Sequence, residues 1–474
     1  MKKFRTILAL LLTLAMVFSL SSCIKVDDGE SSSDDATTEA PAPELKYTAD
    51  ELFDMIDKKM DSYDSYESTL EMIMNVTMNG VEASVTAKGL EIRQGLTTDN
   101  FAFYTETEMK MSIPSLSTTE KLTNVEAYHG GNYFLSNRGD GISQKIYSPM
   151  TKEDAKAYVD EKDSDIFEFG DCVNKEVKIN EDGTYDLTFS GYTAKAVHEI
   201  LDQTGLDTSM LTHDVIDVTV SIKADAEFNA TVFEFSFVFE QKPGSEKMPE
   251  ISVKGTFYKY NEAVIDAAKV NPEKYTAVDD IRLIDEMEDL LDARYAKEEG
   301  NFTLDISQTL KIMGETQQST ETDIVTYGKN DKGYFYDIDA DMNGTKYDIS
   351  YSLGAQTVVS GGQSQPVAQT EAEARAFIEN LINTCQFKDT AVIGVKKISD
   401  NKYSFTCEPK AAYKTHIEQM GATFRSVTQT ITVTVENGEI VSIESEAVAN
   451  GAVTQGNNTF QLTFTLISNV KFGK

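Results

Sequence analysis

The segment Thr69–Gly80 reads TLEMIMNVTMNG, and a related segment, TLDISQTLKIMG, follows at Thr303–Gly314. In the first segment apolar and polar side chains alternate, which is typical of a β-strand with one buried face, and the second segment keeps much of this pattern. Each segment ends in a glycine, the residue that tight hairpin turns favour. The alternation directs Leu70, Met72 and Met74 to one face of the first strand, and in the second strand it directs Leu304, Ile306, Leu310 and Ile312 inward.

Other segments recur in the same order on both sides of this pair. The helical pattern LFDMIDKKM from Leu52 returns as LIDEMEDLL from Leu283, and TKEDAKAYV from Thr151 returns as TEAEARAFI from Thr370. Both halves finish with long alternating strands. Matches in one order over the whole length indicate two tandem repeats of one fold.

The order of elements predicts the fold class of each repeat. A helix is followed by about five strands, a helix, a strand, a second helix and three or four more strands. Sequential antiparallel strands with a few helices predict an α+β domain whose sheet has one covered face. Hairpin turns are predicted where Asn-Gly or Asp-Gly pairs occur, namely at Asn79-Gly80, Asp182-Gly183, Asn343-Gly344, Asn437-Gly438 and Asn450-Gly451.

The N-terminus has the pattern of an export signal. Basic residues in Met1–Arg5 precede an apolar stretch that is too short to span a membrane, and small residues lead to Cys23. The closing sequence LSSC resembles a bacterial lipobox. The resemblance implies cleavage before Cys23 and attachment of fatty acyl chains such as palmitate to this cysteine. An ordinary signal peptide followed by a chance cysteine is the alternative.

Changes in composition along the sequence predict five parts of the chain. A lipoprotein signal peptide is predicted at 1–22, and a disordered acidic tether rich in Ser, Thr and Pro at 23–45, because this stretch has too few apolar residues to fold. The first repeat is predicted at 46–264, a linker at 265–278 and the second repeat at 279–474.

The charge of the chain excludes some classes of partner. There are 43 Lys and Arg against 78 Asp and Glu among 474 residues, a formal net charge of −35. Nucleic-acid binding requires clustered positive charge, so we expect no nucleic-acid partner, and anionic lipid headgroups are disfavoured for the same reason. Hydrophobic residues make up 40% of the chain, enough for substantial cores.

The lipidated cysteine, the tether and this order of elements resemble the lipoprotein-localisation-factor superfamily, which includes LolA, LolB and LppX-like lipoproteins. The resemblance covers nearly all of the chain after the tether. It implies that each repeat is a half-barrel, a curved antiparallel sheet partly closed by a few helices, with a concave face that accommodates a hydrophobic molecule. Two domains on one anchored chain depart from the usual single soluble carrier, which favours capture or presentation at the membrane over shuttling.

Catalytic and cofactor patterns are absent from the sequence. It has no HExxH, phosphate-loop or GxSxG pattern, and His198 and His416 sit at matching positions of the two repeats. We therefore expect no enzyme activity, no cofactor and no metal. The segment Asp339–Gly344 fits the start of a calcium loop, but Ser350 replaces the bidentate Glu, and the alternation around it favours a hairpin.

Two smaller patterns leave alternatives open. Arg138-Gly139-Asp140 is an integrin-type tripeptide, although its surroundings favour a hairpin tip. The three cysteines beyond Cys23 are an odd number, which favours free buried thiols at Cys172, Cys385 and Cys407, and a disulfide between Cys385 and Cys407 is the alternative.

Methionines concentrate in the first repeat. Flexible thioethers suit a cavity that accepts variable guests, and they serve equally as ordinary core residues. The residues predicted to line a ligand site are Met72, Met74, Met78, Phe103, Met109 and Met111.

These observations lead to one functional hypothesis and one alternative. We expect a lipoprotein anchored through Cys23 to the outer face of the cell membrane, in a Gram-positive type of envelope, that binds a lipid or other hydrophobic ligand in its clefts. The alternative is a non-enzymatic structural, sensor or protein-interaction module of the envelope without a small ligand.

Overall fold

The computed structural model describes most of the chain beyond the predicted tether. The described residues are 47–78, 81–113, 118–139, 142–162, 172–203, 213–241, 248–383, 390–455 and 458–473. The predicted signal peptide 1–22 and tether 23–45, with Cys23, lie outside this part of the chain, as do Asp140 and Cys385.

Six α-helices occur in the described residues. Their bounds are α1 (Ala49–Asp61), α2 (Lys152–Lys162), α3 (Ala194–Gln203), α4 (Arg282–Tyr295), α5 (Glu371–Ile382) and α6 (Lys410–Gln419). A short 3-10 helix spans Pro272–Lys274. None of the described helices is long and apolar enough to cross a membrane.

The starts of α1 and α5 are fixed by the same local device. The Thr48 hydroxyl accepts a hydrogen bond from the Glu51 backbone N–H at 3.2 Å, and the Glu51 carboxylate accepts one from the Thr48 N–H at 2.8 Å. Thr370 and Glu373 repeat both contacts, at 3.2 Å and 2.8 Å. Such a capping box satisfies backbone donors that the first helical turn would leave without partners.

Twelve strands of the described residues form the first sheet. Their bounds are β1 (Ser65–Met78), β2 (Val81–Gln94), β3 (Ala102–Ile113), β4 (Thr118–His129), β5 (Asn132–Gly139), β6 (Ile142–Pro149), β7 (Cys172–Ile179), β8 (Tyr185–Tyr192), β9 (Val215–Ala224), β10 (Ala230–Phe239), β11 (Glu250–Tyr258) and β12 (Thr276–Ala277). Their spatial order is β12-β6-β5-β4-β3-β2-β1-β11-β10-β9-β8-β7.

In the second sheet, the described part of the chain contributes eleven strands. Their bounds are β13 (Gly300–Ile312), β14 (Glu315–Asn330), β15 (Gly333–Met342), β16 (Thr345–Ser352), β17 (Ala355–Ser360), β18 (Gln363–Ala368), β19 (Ala391–Ser399), β20 (Lys402–Glu408), β21 (Thr423–Glu436), β22 (Glu439–Gln455) and β23 (Asn458–Phe472). Their order, β18-β17-β16-β15-β14-β13-β23-β22-β21-β20-β19, is that of β6 to β7 in the first sheet.

The contacts divide the chain into two compact units. The first unit contains the described residues up to Phe134 together with Met150–Asn271, and the second contains Leu135–Pro149 together with Pro272–Lys474. β1 is central in the first sheet and β13 in the second, because in each case the strand pairs with both its own hairpin partner and the last long strand of the unit.

The predicted α+β class, with each repeat a half-barrel covered by a few helices, is wrong. Strands hold 61% of the described residues and helices 18%, so the protein is mostly β, and its two large sheets are not closed. The physical reason is the size of the sheets. Short helices cannot cover eleven or twelve strands, and in β18 every residue is exposed.

The hairpin predictions are correct where the glycine has open space around it and wrong where the glycine is crowded. Asn343 and Gly344 join β15 to β16 with φ of 52° and 83°, as a two-residue primed turn requires, and Asn437 and Gly438 join β21 to β22 in the same way. The turn predicted at Asn450-Gly451 is wrong, because both residues lie inside β22. A Cβ at Gly451 would lie 2.8 Å from a side-chain carbon of Ile417, so this glycine lets α6 approach the sheet. Asn79-Gly80 lies outside the described residues.

Candidate ligand-binding site

The methionines predicted from the sequence lie side by side on the inner face of the first sheet, the face that α1 and α3 cover. The register places Met72 opposite Ala87 and Met74 opposite Val85, and these β2 residues oppose Met109 and Met111 of β3. The four methionine side chains are only 2–3% exposed. Strand alternation therefore brings together the residues that the sequence singled out.

The space above these methionines is filled by the protein itself. One continuous cluster of buried residues contains the four methionines, side chains of α1 such as Phe53 and Ile56, and side chains of α3 such as Val197 and Ile200. In unit one the inner face is thus packed against two helices. The Met78 side chain lies outside the described part, and the assignment of these residues to a ligand stays a prediction.

Phe103 lies on the same face of β3 but towards its other end. Its ring packs edge-on against Tyr133 with centroids 5.7 Å apart, and the Arg93 guanidinium lies 5.8 Å from its centroid. Arg93 Nε is 2.6 Å from Glu91 Oε1 in a pair with little solvent exposure. This end of the inner face therefore holds a buried ion pair beside aromatic rings. Strict alternation of β2 directs Glu91 and Arg93 inward, and this pattern is the signal in the sequence that could have indicated the pair.

The inner face of the second sheet is less completely covered. A buried cluster is formed there by α6 and the strands β21 to β23, with members Tyr413, Ile417, Ala422, Val427, Ala447, Ala449, Leu462 and Phe464. Around it lies a set of partly buried apolar side chains, which we name the apolar strip: Leu310, Ile312, Met420, Phe424, Val453 and Leu466. The apolar strip is in contact with the core and with solvent at once.

Register places the members of the apolar strip next to the buried cluster. Leu310 of β13 is opposite Phe464 of β23, and Ile312 is opposite Leu462. Leu466 is opposite Gln308, which is exposed. These three members of the strip therefore lie on β13 and β23, in the half of the inner face that adjoins the β13–β14 hairpin.

The helices explain why this half stays open. In the first unit α3 buries four apolar residues, Ala196, Val197, Ile200 and Leu201. In the second unit α6 buries two, Tyr413 and Ile417. No residue of α4 belongs to the described cluster beneath the strip, whereas α1 contributes several to the corresponding cluster of the first unit.

Polar groups mark the inner boundary of this region. Gln429 Nε2 donates to Ser445 Oγ at 2.7 Å on the buried part of the face. On β14, Asp323 is 3% exposed, and its Oδ1 has no hydrogen-bond partner among the described residues. Burial, and to a smaller extent the carboxylate of Glu321, raise the pKa of Asp323 to about 6.

The calcium-loop and integrin-type patterns do not form a recognisable binding site in the described residues. Asp339 and Asp341 lie in β15, and the Asp341 carboxylate accepts a hydrogen bond from the Gly344 N–H at 2.8 Å within the turn. The described residues contain no group of three or more His, Cys, Asp or Glu side chains placed to hold a metal ion. Arg138 and Gly139 end β5, and the third residue of that tripeptide is outside the described part.

Comparison with known proteins adds little to this geometry. No family model and no curated protein matches the chain. Among solved structures, a DUF1329 family protein from Desulfovibrio piger has 11% identity and a TM-score of 0.18, with 40% of this chain and 91% of that one covered. A LolA superfamily protein from Nitrosomonas europaea has 10% identity and a TM-score of 0.18, with 40% and 93% covered.

A third solved structure, a putative AttH from Nitrosomonas europaea, covers more of the chain. It has 6% identity and a TM-score of 0.13, with 85% of this chain and 92% of that one covered. All three TM-scores are far below 0.5, so these likenesses carry no argument about ligand or function.

Proposed function

We propose that the chain is a lipoprotein, anchored through Cys23 on the extracytoplasmic face of the cell membrane, that binds an acyl chain of a membrane lipid along the apolar strip. The protein acts by binding and needs no catalytic step. The observation that carries the proposal is the apolar strip itself, a set of large apolar side chains around the buried cluster that the helices leave partly exposed.

The energetics favour an apolar occupant. Removing apolar surface from water stabilises a contact by about 25 cal/mol per Å², or about 0.8 kcal/mol for each buried methylene group. An extended acyl chain can lie along β13 and β23 and cover Leu310, Ile312 and Leu466 together. Contiguous apolar surface of this kind on a folded protein is a common mark of a binding site.

The polar neighbours favour a lipid tail over a headgroup. Gln308, Gln317 and Ser319 beside the strip are uncharged. The charged residues at inner positions of β14, Glu315 opposite Ile312 and Glu321 opposite Ile306, are acidic. The net charge of −35 opposes attraction to anionic headgroups. The contribution that remains is apolar, and the predicted lipid anchor would keep acyl chains close to the protein.

Transfer of a fluorescent lipid tests this proposal. The full chain is reconstituted in phospholipid vesicles and mixed with donor vesicles whose lipid carries an environment-sensitive fluorophore on its acyl chain. We expect emission to rise as the chain enters the strip, and we expect Leu310→Gln combined with Leu466→Gln to reduce the rise several-fold. Thr309→Gln, on the opposite face of β13, is the matched control and should leave it unchanged.

Two results would contradict the proposal. One is an equal emission rise with the wild-type chain and the double variant, since the strip would then play no part. The other is a loss of signal on substitution of Met72 or Met74 alone, which would move the ligand to the first unit.

A further inference from the structure

A cavity of about 540 Å³ opens in the first unit, away from the methionine face. It is enclosed by the loop that connects β2 to β3, the turn that connects β4 to β5, and the start of α2. The polar residues that matter for its chemistry are Asp64, Thr98, Asp99, Asn100, His129 and Lys152. Cavities of this volume fall within the usual range for small-molecule sites.

The β2–β3 loop is held in a defined shape. Gly95 has φ of +67°, and a Cβ there would lie 2.2 Å from the Asn100 carbonyl, so only glycine lets the loop close on itself. The Asp64 carboxylate accepts hydrogen bonds from the Thr97 N–H at 3.2 Å and from the Thr97 hydroxyl at 2.9 Å. These bonds from Thr97, with others from Thr98 and Gly95, hold the pKa of Asp64 below its usual value.

The β4–β5 turn gives the cavity its open side. Gly130 and Gly131 have φ of +59° and +79°, and a Cβ at either position would meet no atom within 4 Å. The Gly131 carbonyl accepts a hydrogen bond from the Met150 N–H at 3.0 Å, which ties the turn to the residues that lead into α2. The opening is therefore a fixed feature of the backbone.

Phe101 and Tyr128 lie under the cavity and contribute to its lining, although their side chains are only 9% and 4% exposed. Phe101 and Tyr128 are stacked with centroids 6.1 Å apart and planes 25° apart. The Tyr128 hydroxyl donates to the Met150 carbonyl at 3.3 Å, which fixes the ring. The cavity thus has a rigid base with little accessible aromatic surface, below a polar rim.

The charges at the rim are largely compensated. Lys152 Nζ lies 3.1 Å from the Asp99 carboxylate and 3.5 Å from that of Glu153. The Asp64 carboxylate already accepts hydrogen bonds from the loop. An anion would have to displace the carboxylates from Lys152, and a cation would have to compete with the hydroxyl and N–H donors on Asp64, so neither is favoured.

We propose that this cavity binds a neutral saccharide. Sugar hydroxyls both donate and accept hydrogen bonds, and the rim offers both kinds of group through Thr98, Asn100 and His129. A sugar ring also has a small apolar face, which can contact the few accessible atoms of Phe101 and Tyr128. This inference is independent of the apolar strip, because the cavity lies in the other unit.

Calorimetric titration of the full chain in lipid nanodiscs tests the inference. The probes are maltotriose, cellotriose and N,N′,N″-triacetylchitotriose, which are all neutral, with calcium chloride and sodium phosphate as charged comparisons. We expect saturable heat with at least one trisaccharide and none with either salt. No heat with any of the three sugars at millimolar concentration would overturn the proposal, and so would saturable binding of a salt alone.

Variants locate the binding. Gly130→Asn adds a side chain at the opening, and Asn tolerates a left-handed backbone. Asn100→Ala removes an amide from the rim. We expect each to weaken sugar binding at least tenfold without a change in thermal unfolding. Gly344→Asn is the matched control, since Gly344 also has positive φ and open space around it but lies in the second unit. Unchanged affinity in both cavity variants would contradict the assignment.

Discussion

The inner faces of the two sheets differ at positions that correspond in sequence. In the first sheet Met74 is buried under α1 and α3, and in the second sheet the corresponding residue, Gln308, is exposed. Val76 is buried, whereas its counterpart Leu310 is partly exposed. One strand pattern can therefore produce either a closed core or an open apolar surface. The outcome depends on how many apolar residues the covering helices supply.

The largest expected effect is on stability, and it contrasts the two faces directly. Met74→Ala should lower the free energy of unfolding of the first unit by about 3 kcal/mol, because it leaves a cavity in a filled core. Leu466→Ala should cost the second unit about 1 kcal/mol, because this side chain is already partly solvated. Hydrogen exchange in denaturant, read on peptides of β1 and of β23, measures both. Equal costs would contradict the distinction between a closed and an open face.

The next effect depends on pH and concerns Asp323. Burial raises the pKa of its carboxyl in the folded state to about 6, above the ordinary value of 3.8, so the fold disfavours the charged form. The free energy of unfolding should therefore fall as pH rises from about 4 to 6 and then level off. Asp323→Asn should raise stability at pH 7 by about 2 kcal/mol and leave it nearly unchanged at pH 3.

The control for this prediction is Asp337→Asn, at an exposed position on β15. It should change stability by less than about 0.5 kcal/mol at either pH. Thermal unfolding at the two pH values measures both variants. An equal gain from Asp323→Asn at pH 3 and pH 7 would show that the titration of this group does not cause the effect.

Substitutions at the two capping boxes test the same difference between the two faces, with a smaller expected effect on stability. Thr48→Ala and Thr370→Ala should each cost about 1 kcal/mol, because each removes one half of a capping box. The consequences for the sheets should differ. Loosening α1 should increase deuterium uptake in β1, where it covers the methionines, and loosening α5 should leave uptake in β23 unchanged. Increased uptake in β23 with Thr370→Ala would indicate that α5 supports the apolar strip.

The smallest expected effect comes from making the second face more like the first. Gln308→Met extends the apolar strip at an exposed position, so stability should change by less than about 0.5 kcal/mol. Transfer of the fluorescent lipid should increase about two-fold to three-fold, which corresponds to less than one additional buried methylene group. Thr309→Met, on the other face of β13, is the control. A decrease in transfer with Gln308→Met would contradict the position of the strip.

Alternation and turn chemistry were readable from the sequence because they are local. The inward face of Leu70, Met72 and Met74 is confirmed, and so are the hairpins at Asn343-Gly344 and Asn437-Gly438. The identity of these residues determines their backbone preferences without reference to the rest of the fold.

What sequence could not provide depends on contacts between distant segments. The sequence predicts a turn at Gly451, which lies inside β22. A glycine is required there because Ile417 approaches it closely, and these two residues are 34 positions apart in the chain (417 to 451). The α+β class was wrong because a short helical pattern does not reveal how much of a large sheet it covers. The partial exposure of the apolar strip also depends on how much of the sheet the helices cover.

The same limit applies to the polar cavity. Its loop and turn residues are ordinary turn formers in the sequence, and only the fold brings Asp64, Asn100 and His129 to one opening. Gly95 and Gly130 could have signalled unusual backbone there, but not that the two loops face a common space.

The most direct test of the central claim compares acyl-chain contact at the two inner faces in one sample. The full chain is reconstituted in vesicles whose phospholipid carries a diazirine on its acyl chain, irradiated, and analysed by peptide mass spectrometry. We predict labelling of peptides from β13, β22 and β23 several times above that of peptides from β1 to β3. Equal labelling of the two sets, or an excess in β1 to β3, would contradict it.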